Sequence, residues 1–398
     1  MPCVPTSFQR LLEPLDRRML KTLVDTHQGD KGVGDGPRAW TCVRHLKALL
    51  FAQLADLQSL RDIEQAFAAK PAALYHLHLK PPRRSTLSDA SKARPSEVFR
   101  DIAQHLLGAM ARKPRIEGTA LIQLLDASPV PLRDERFAWA EADARVRGLK
   151  IHLLYDPHQD RPVHFAVTSP KISDITVART LCLEGGATYV FDKGYTDYAW
   201  WQHIHQAGAI FITRLKKNAH RREVEPRESE GDDILADHTL KVGHKKPRGG
   251  ATNPLYDSKL REILVEREGK EPLRLITNDH RRPASEIAAL YKQRWQIELF
   301  FKWLKQNLKV KTFLGRSENA VRIQIYVALI AFILLRMFKQ TYARSHKAGA
   351  RALRIRLKVA LLQPFDLTGR SRPPPEPPHK RSQTPQLTLP WETDYATI

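Results

Sequence analysis

Between Tyr291 and Lys309 the chain reads YKQRWQIELFFKWLKQNLK, with no Gly or Pro. Such a run predicts one helix. At about 100° per residue, Tyr291, Arg294, Glu298, Lys302, Lys305 and Lys309 fall within an arc of roughly 80°. Most of the remaining circumference is apolar: Ile297, Leu299, Phe300, Phe301, Trp303, Leu304 and Leu308. A helix apolar over so much of its surface must be mostly buried. Its narrow charged face, one carboxylate among cations, must then meet something polar and anionic. The alternative is a surface helix with Arg294–Glu298 and Glu298–Lys302 pairs, and the aromatic remainder argues against it.

The whole chain carries the same bias. Its 398 residues hold 65 Lys+Arg against 43 Asp+Glu, a formal charge of +22. That excess implies a polyanionic partner, nucleic acid first, rather than a merely soluble basic protein. Cys3, Cys42 and Cys182 are far apart and form no CxxC pair, so neither a zinc site nor a disulfide framework is expected. The first residues lack an apolar signal core. The longest apolar run, Ile325–Leu335, is bracketed by Arg322 and Arg336 and is too short to span a bilayer. It predicts a buried helix, no membrane partner and a cytoplasmic protein.

In chain order, helical patterns cover 1–28, Trp40–Leu57 and Leu60–Phe67. The stretch 83–90, RRSTLSDA, predicts a helix capped by Ser85 or Thr86 with Asp89 in its first turn. Arg83 and Arg84 beside it suit DNA phosphates, or simply a capped basic surface. A basic boundary follows at Arg112–Lys113–Pro114–Arg115. The pattern then turns to short apolar strands at Leu121–Leu125, Ile151–Tyr155 and Val163–Thr168, with Val130 and Leu132 after the first. A helix at Ser173–Leu183, a strand at Thr188–Phe191, a helix at Tyr198–Gln206 and a strand at Ala209–Thr213 complete it. The last strand runs into Arg214, Lys216 and Lys217. Three strands, helix, strand, helix, strand predict an α/β mixed sheet with helices packed on it. Residues 218–282 are polar and broken by Gly and Pro, with strand-like Ile263–Val265 and Leu273–Thr277, and read as an insertion outside the central core. A long helix at Glu318–Arg344, a basic helix at Arg351–Leu362 and a Pro-rich tail from Gly369 end the chain. From Arg336 to Arg381 twelve Lys/Arg face only Asp366 and Glu376, a strip that could follow a phosphate backbone or stay solvated.

Two acids occupy matching places. Asp126 ends the strand LIQLLD and Asp192 ends YVFD. Carboxylates at the ends of adjacent strands can converge at the rim of a sheet, and Glu298 can supply a third. Three carboxylates in one pocket repel each other unless a cation sits among them. Oxygen-only ligands favour magnesium or manganese. Two such ions about 4 Å apart serve an in-line phosphoryl displacement.

Tyr291, Arg294, Glu298 and Lys305 form Y-x-x-R-x-x-x-E followed seven positions later by K. This resembles the signature of bacterial cut-and-paste DDE transposases of insertion-sequence family four. Asp126 in LLDAS (relatives show Asp-Ser-Thr), Asp192 in FDKGY, Arg214 in FITRLK and the RSTLSDA stretch agree. The resemblance implies a ribonuclease-H-like catalytic core with a β-rich insertion and an N-terminal helical domain. On that plan 1–115 is the helical, DNA-binding domain, and 116–217 is the first part of the core. The insertion is 218–282, the last part of the core 283–345, and the basic segment with its tail 346–398. The resemblance further implies that Asp126, Asp192 and Glu298 are catalytic and bind two Mg2+ ions, with Mn2+ able to substitute. Tyr291, Arg294, Lys302 and Lys305 would hold DNA phosphates, with Arg83, Arg84, Arg214 and Lys216 as further contacts. The partners implied are double-stranded DNA, as terminal inverted repeats and target, and a second copy in a homodimer. The DNA-bound protein would sit on the bacterial nucleoid. Some relatives form a DNA hairpin and stack a flipped base on a Trp of the insertion; here 218–282 has no Trp, and Tyr256 is its only large aromatic. A nuclease of the same core that cuts without strand transfer, and an inactive DNA-binding relic, are the alternatives.

Overall fold

The computed structural model describes residues 5–363 apart from 35, 37–38, 70–76, 78, 112–120, 133–134, 141–146, 230, 247–249, 308–312 and 343–360. The boundary at 112–115, Leu308, Lys309, nearly all of the basic helix read at 351–362 and the Pro-rich tail lie outside the described residues.

Helices come first: α1 (Ser7–Leu12), α2 (Arg17–Thr26), α3 (Cys42–Ala55), α4 (Leu60–Ala68), α5 (Arg84–Ala93) and α6 (Ser96–Ala111). The single amphipathic stretch expected over 1–28 is two helices. Asp16, after Pro14, starts the second by accepting the Met19 N–H. The expected cap at Ser85 or Thr86 is also corrected. Arg83 is the N-cap residue of α5, without a side-chain cap bond, and Ser85, Thr86 and Asp89 lie within the helix.

Among the described residues the sheet has nine strands, in the order β3-β2-β1-β4-β5-β9-β8-β7-β6. Strands β1 (Ile122–Pro131), β2 (Gly148–Asp156) and β3 (Arg161–Thr168) form an antiparallel meander. Strands β4 (Thr188–Phe191) and β5 (Ile210–Arg214) add in parallel, and β4 is followed by helix α8 (Tyr198–Gln206). The helix expected at Ser173–Leu183 shrinks to α7 (Asp174–Ala178), capped by Ser173. Residues 218–282 do not stand outside the core. Their strands β6 (Arg221–Pro226), β7 (Ile234–Val242), β8 (Leu260–Val265) and β9 (Leu273–Thr277) extend the same sheet, with β9 antiparallel to β5.

One helix was expected over Tyr291–Lys309, and two are present: α9 (Ala284–Lys292) and α10 (Trp295–Asn307). Between them the chain tightens through i→i−3 bonds, Arg294 N–H to Tyr291 O at 3.1 Å and Gln296 N–H to Gln293 O at 2.8 Å. The break lets Tyr291 stay buried while Trp295 turns outward, 61% exposed. Leu299, expected inside, is also exposed.

The last helix among the described residues, α11 (Glu318–Tyr342), is the spine of the molecule. Its most apolar window has mean hydropathy 2.0, enough to cross a membrane by composition, yet 83% of that window is buried inside the protein. Each large apolar side chain buried this way contributes about 1.5–3 kcal/mol. One face packs on α1, α3 and α6, and another on α10. A single apolar cluster runs from Phe8 through Leu124, Phe300 and Phe332 to Leu361. A second cluster fills the opposite side of the sheet, where Trp200 and Trp201 of α8 meet Phe191 and Phe211.

Candidate active site

Strands β1 and β4 are in parallel register from Ile122 with Thr188 to Leu125 with Phe191. The next residue on each is an aspartate, so one short ladder delivers Asp126 and Asp192 to the same rim. Strand β1 does not end there; it continues to Pro131 against β2, with Asp126 opposite Leu153. By strand alternation Asp126 shares the face of Leu124 and Leu153, on which α10 packs. Asp126 Oδ1 accepts the Ala127 N–H at 2.8 Å. Asp192 opens a 3-10 turn and accepts the Gly194 N–H at 2.5 Å. Glycine suits that position, because a Cβ would lie 3.1 Å from the carboxylate oxygen.

The break between α9 and α10 sets Arg294 against these acids. Its Nη2 donates to Glu298 Oε1 at 2.6 Å, and its Nη1 stands 3.6 Å from Asp126 Oδ2. The guanidinium also lies 5.9 Å from the centroid of the buried Tyr291 ring. Burial pushes the Asp126 carboxyl up to about 6; the Ala127 N–H and Arg294 oppose this, and Asp192 and Glu298 add to it. Burial likewise raises the Tyr291 hydroxyl, against the pull of Arg294 and Arg214. Burial lowers the Lys305 ammonium, and the charge of Asp126 opposes that shift.

The structure therefore gathers Asp126, Asp192, Glu298, Arg294, Tyr291 and Lys305, with Arg214 near Tyr291. Lys302 and Lys216 are exposed, and Arg83 and Arg84 are exposed at the start of α5. The three carboxylates share one rim but do not close on a point. Among the described residues no group of three or more His, Cys, Asp or Glu side chains could hold one ion. Arg294 stands between Asp126 and Glu298 instead.

Two residues escaped the sequence argument. Trp295 and Leu299 flank Glu298 on α10 and are 61% and 49% exposed. With the helix restarted at Trp295, they share an arc of roughly 60° with Lys302; a single helix from Tyr291 obscures that grouping. Tyr195 is buried three residues after Asp192, its hydroxyl without a hydrogen-bond partner among the described residues. Burial pushes that hydroxyl far up, with Asp174, Asp126 and Asp192 adding to the effect. The FDKGY stretch held that signal. Tyr256, in turn, is covered on one face by Arg222, 3.6 Å from its ring centroid.

Acids just past the paired stretch of two adjacent parallel strands, with cations along one flank, make an arrangement suited to metal-assisted phosphoryl transfer. Residues 117–334 match the Transposase DDE domain family, and residues 4–80 match a domain of unknown function, DUF4372. The chain is 40% identical over 308 residues to y4zB of Sinorhizobium fredii, named as a transposase, covering 75% of this chain and 83% of that protein. It is 25% identical over 347 residues to a Geobacillus stearothermophilus protein named as a transposase for insertion sequence element IS5377, covering 85% of each. The piggyBac transposase, solved by cryo-EM in a synaptic complex with hairpin DNA, superposes with a TM-score of 0.51 at 11% identity, covering 94% of this chain and 83% of that one. That likeness bears on the fold, a ribonuclease-H-like core. The chain belongs to the DDE transposases, the metal-dependent, DNA-cleaving and strand-transferring enzymes of insertion sequences.

Proposed function

We propose that this chain excises and inserts its element by cut-and-paste within family four. In this reading it binds the terminal inverted repeats as a homodimer on the bacterial nucleoid. Water opens the phosphodiester at each end, leaving a 3′-OH and a 5′-phosphate. The 3′-OH then attacks a target phosphodiester, forming one P–O bond as another breaks, so no energy cofactor is consumed.

The observation that carries this reading is the imbalance at the rim. Asp126 and Glu298 meet the one guanidinium of Arg294, Asp192 stands on the next strand of the same rim, and burial pushes Asp126 up to about 6. An all-oxygen, acid-rich donor set fits a hard divalent cation. Asp126, Asp192 and Glu298 would hold two magnesium ions, or manganese, which activate the attacking oxygen and offset charge on the leaving one. Arg294, Tyr291, Lys302 and Lys305 orient the DNA by its phosphates, with charge-assisted bonds from the cations. The exposed ring of Trp295 offers a stacking face for an unpaired base at the cut end. Arg214 and Lys216 extend the cationic flank, and Arg83 and Arg84 offer contacts on the helical N-terminal part.

The test uses full-length protein, a plasmid carrying both element ends, and magnesium. Wild type releases the element and joins pre-cut ends to a second plasmid. Glu298→Gln loses several kcal/mol of transition-state stabilisation, about 10^3-fold in rate. Unchanged cleavage by Glu298→Gln would falsify the assignment of the site. Cleavage without joining marks a nuclease, and binding without cleavage a relic.

A further inference from the structure

The insertion presents an exposed cationic turn that the site does not use. Between Leu240 and Gly250 the sequence holds Lys241, Lys245, Lys246 and Arg248 and no acid. Lys241 is paired with Glu223 at 2.7 Å. Among the described residues, Lys245 and Lys246 are exposed and meet no carboxylate.

The backbone under them is tied down from several sides. Gly243 donates its N–H to His220 O at 2.8 Å, and its carbonyl accepts Arg222 Nε at 3.1 Å. Buried Asn253 donates Nδ2 to Val242 O at 3.1 Å and its own N–H to Lys245 O at 2.8 Å. Gly243 has φ +77°, and a Cβ there would come 2.8 Å from the Tyr198 ring. On this frame the exposed imidazoles of His220 and His244 stack at 4.1 Å and 23°. A loop that only keeps charge in water has no need of so many ties. A pre-formed turn loses less entropy when a ligand docks.

Its position relates it to the rim. Arg214 lies two residues past Ile212 on β5, whose partner Val190 on β4 lies two residues before Asp192, and His220 follows six residues later with exposed Lys216 between them. Even a fully extended backbone, at about 3.6 Å per residue, keeps His220 within roughly 22 Å of Arg214. That is about six phosphate steps at about 3.4 Å each along one strand.

We propose that His220, His244, Lys245 and Lys246 form a second phosphate-binding ridge that grips duplex DNA within about one helical turn of the reacting phosphate. The proposal rests on the reading of the rim as the reacting site; the grip itself is independent of catalysis.

The experiment measures binding of a labelled DNA duplex by full-length protein across a salt series. Lys245→Gln/Lys246→Gln lowers the slope of log affinity against log salt by about 1.8, at about 0.9 per lost phosphate contact. Lys259→Gln/Lys270→Gln, which removes two exposed lysines elsewhere in the insertion, leaves the slope unchanged. Hydroxyl-radical footprinting with the ridge variant loses protection within about one helical turn of the cut. An unchanged slope, or an equal loss in the control variant, overturns the ridge. If wild type fails to cleave in magnesium while the ridge variant still loses slope, the ridge stands and the proposed function falls. Normal cleavage with an unchanged slope does the reverse.

Discussion

The insertion and the sheet rim each set carboxylates against arginine, in opposite proportions. In the insertion, Asp237 and Glu262 are fully buried and surrounded by cations. Asp237 takes both Arg261 Nε, at 3.0 and 3.1 Å, and Nη2, at 2.5 Å, with Arg227 Nε at 3.7 Å. Glu262 pairs with Arg221 and, at 3.3 Å, with Arg274. Arg261 also donates to the backbone carbonyls of Asp279 and Arg282, just ahead of α9. Each of these two buried acids has two arginine partners. At the rim Asp126 and Glu298 share Arg294, and both of them and Asp192 remain partly open to solvent. The first arrangement is complete in itself and ties the insertion to the segment that leads into the site helices. The second leaves carboxylate oxygens open to solvent around a single shared guanidinium, which suits a site that works with added cations.

The largest effect expected from this contrast lies in the insertion. Arg261→Ala strands Asp237 without its main partner and lowers unfolding free energy by about 3–5 kcal/mol. Urea denaturation checks it, and a loss below a tenth of that would show the buried cluster to be dispensable. Trp295→Ala sharpens the other side. Its ring is already 61% exposed, so the denaturation midpoint stays in place. Affinity for an element end with an unpaired base at the cut weakens by about 1–3 kcal/mol, read by titration.

A buried group outside both clusters gives a pH test. His45 is fully buried, accepts from Trp40 Nε1 at 3.3 Å and contacts Ser91 Oγ at 3.2 Å. Burial lowers its pKa from 6.5 to about 3, with Arg94 adding. The unfolded chain therefore binds a proton first as pH falls. His45's contribution is complete above the unfolded value and is lost, at about 1.4 kcal/mol per pH unit, as pH drops toward the folded one. His45→Asn flattens that dependence between neutral pH and the folded pKa. The smallest effect is at the surface. Lys217 and Glu271 form an ion pair with side chains 84% and 69% exposed, and Glu271→Ala leaves the denaturation midpoint unchanged.

Much of the central sheet was legible because its strands are short apolar runs bounded by turns. Tyr198–Gln206 coincides with its predicted helix, and LIQLLD and YVFD placed their aspartates at one rim. The outer sheet was not legible for a physical reason. Strand β6, RREVEP, is the exposed edge, and charged residues on an edge strand look like loop in a sequence. Strand β7 hides its buried Asp237 among polar residues, since only the Arg261 partner makes that burial tolerable. The break before Trp295 carries no Gly or Pro. It arises from packing, which holds Tyr291 inward, so a spacing argument across Tyr291–Lys309 could group the charges but not expose Trp295 and Leu299.

The central claim is that the rim carboxylates are held at a cost that a divalent cation relieves. Asp126 has a folded pKa near 6 against an ordinary 3.8. Its charged form therefore reduces stability above pH 6, by on the order of 3 kcal/mol at most, at about 1.36 kcal/mol per unit. The decisive measurement is the thermal midpoint of wild type and Asp126→Asn above neutral pH, in chelator and then in magnesium. The account predicts that the variant melts higher than wild type in chelator, and that magnesium raises wild type far more than the variant. A variant that melts lower in chelator, or equal magnesium shifts in both proteins, would contradict it.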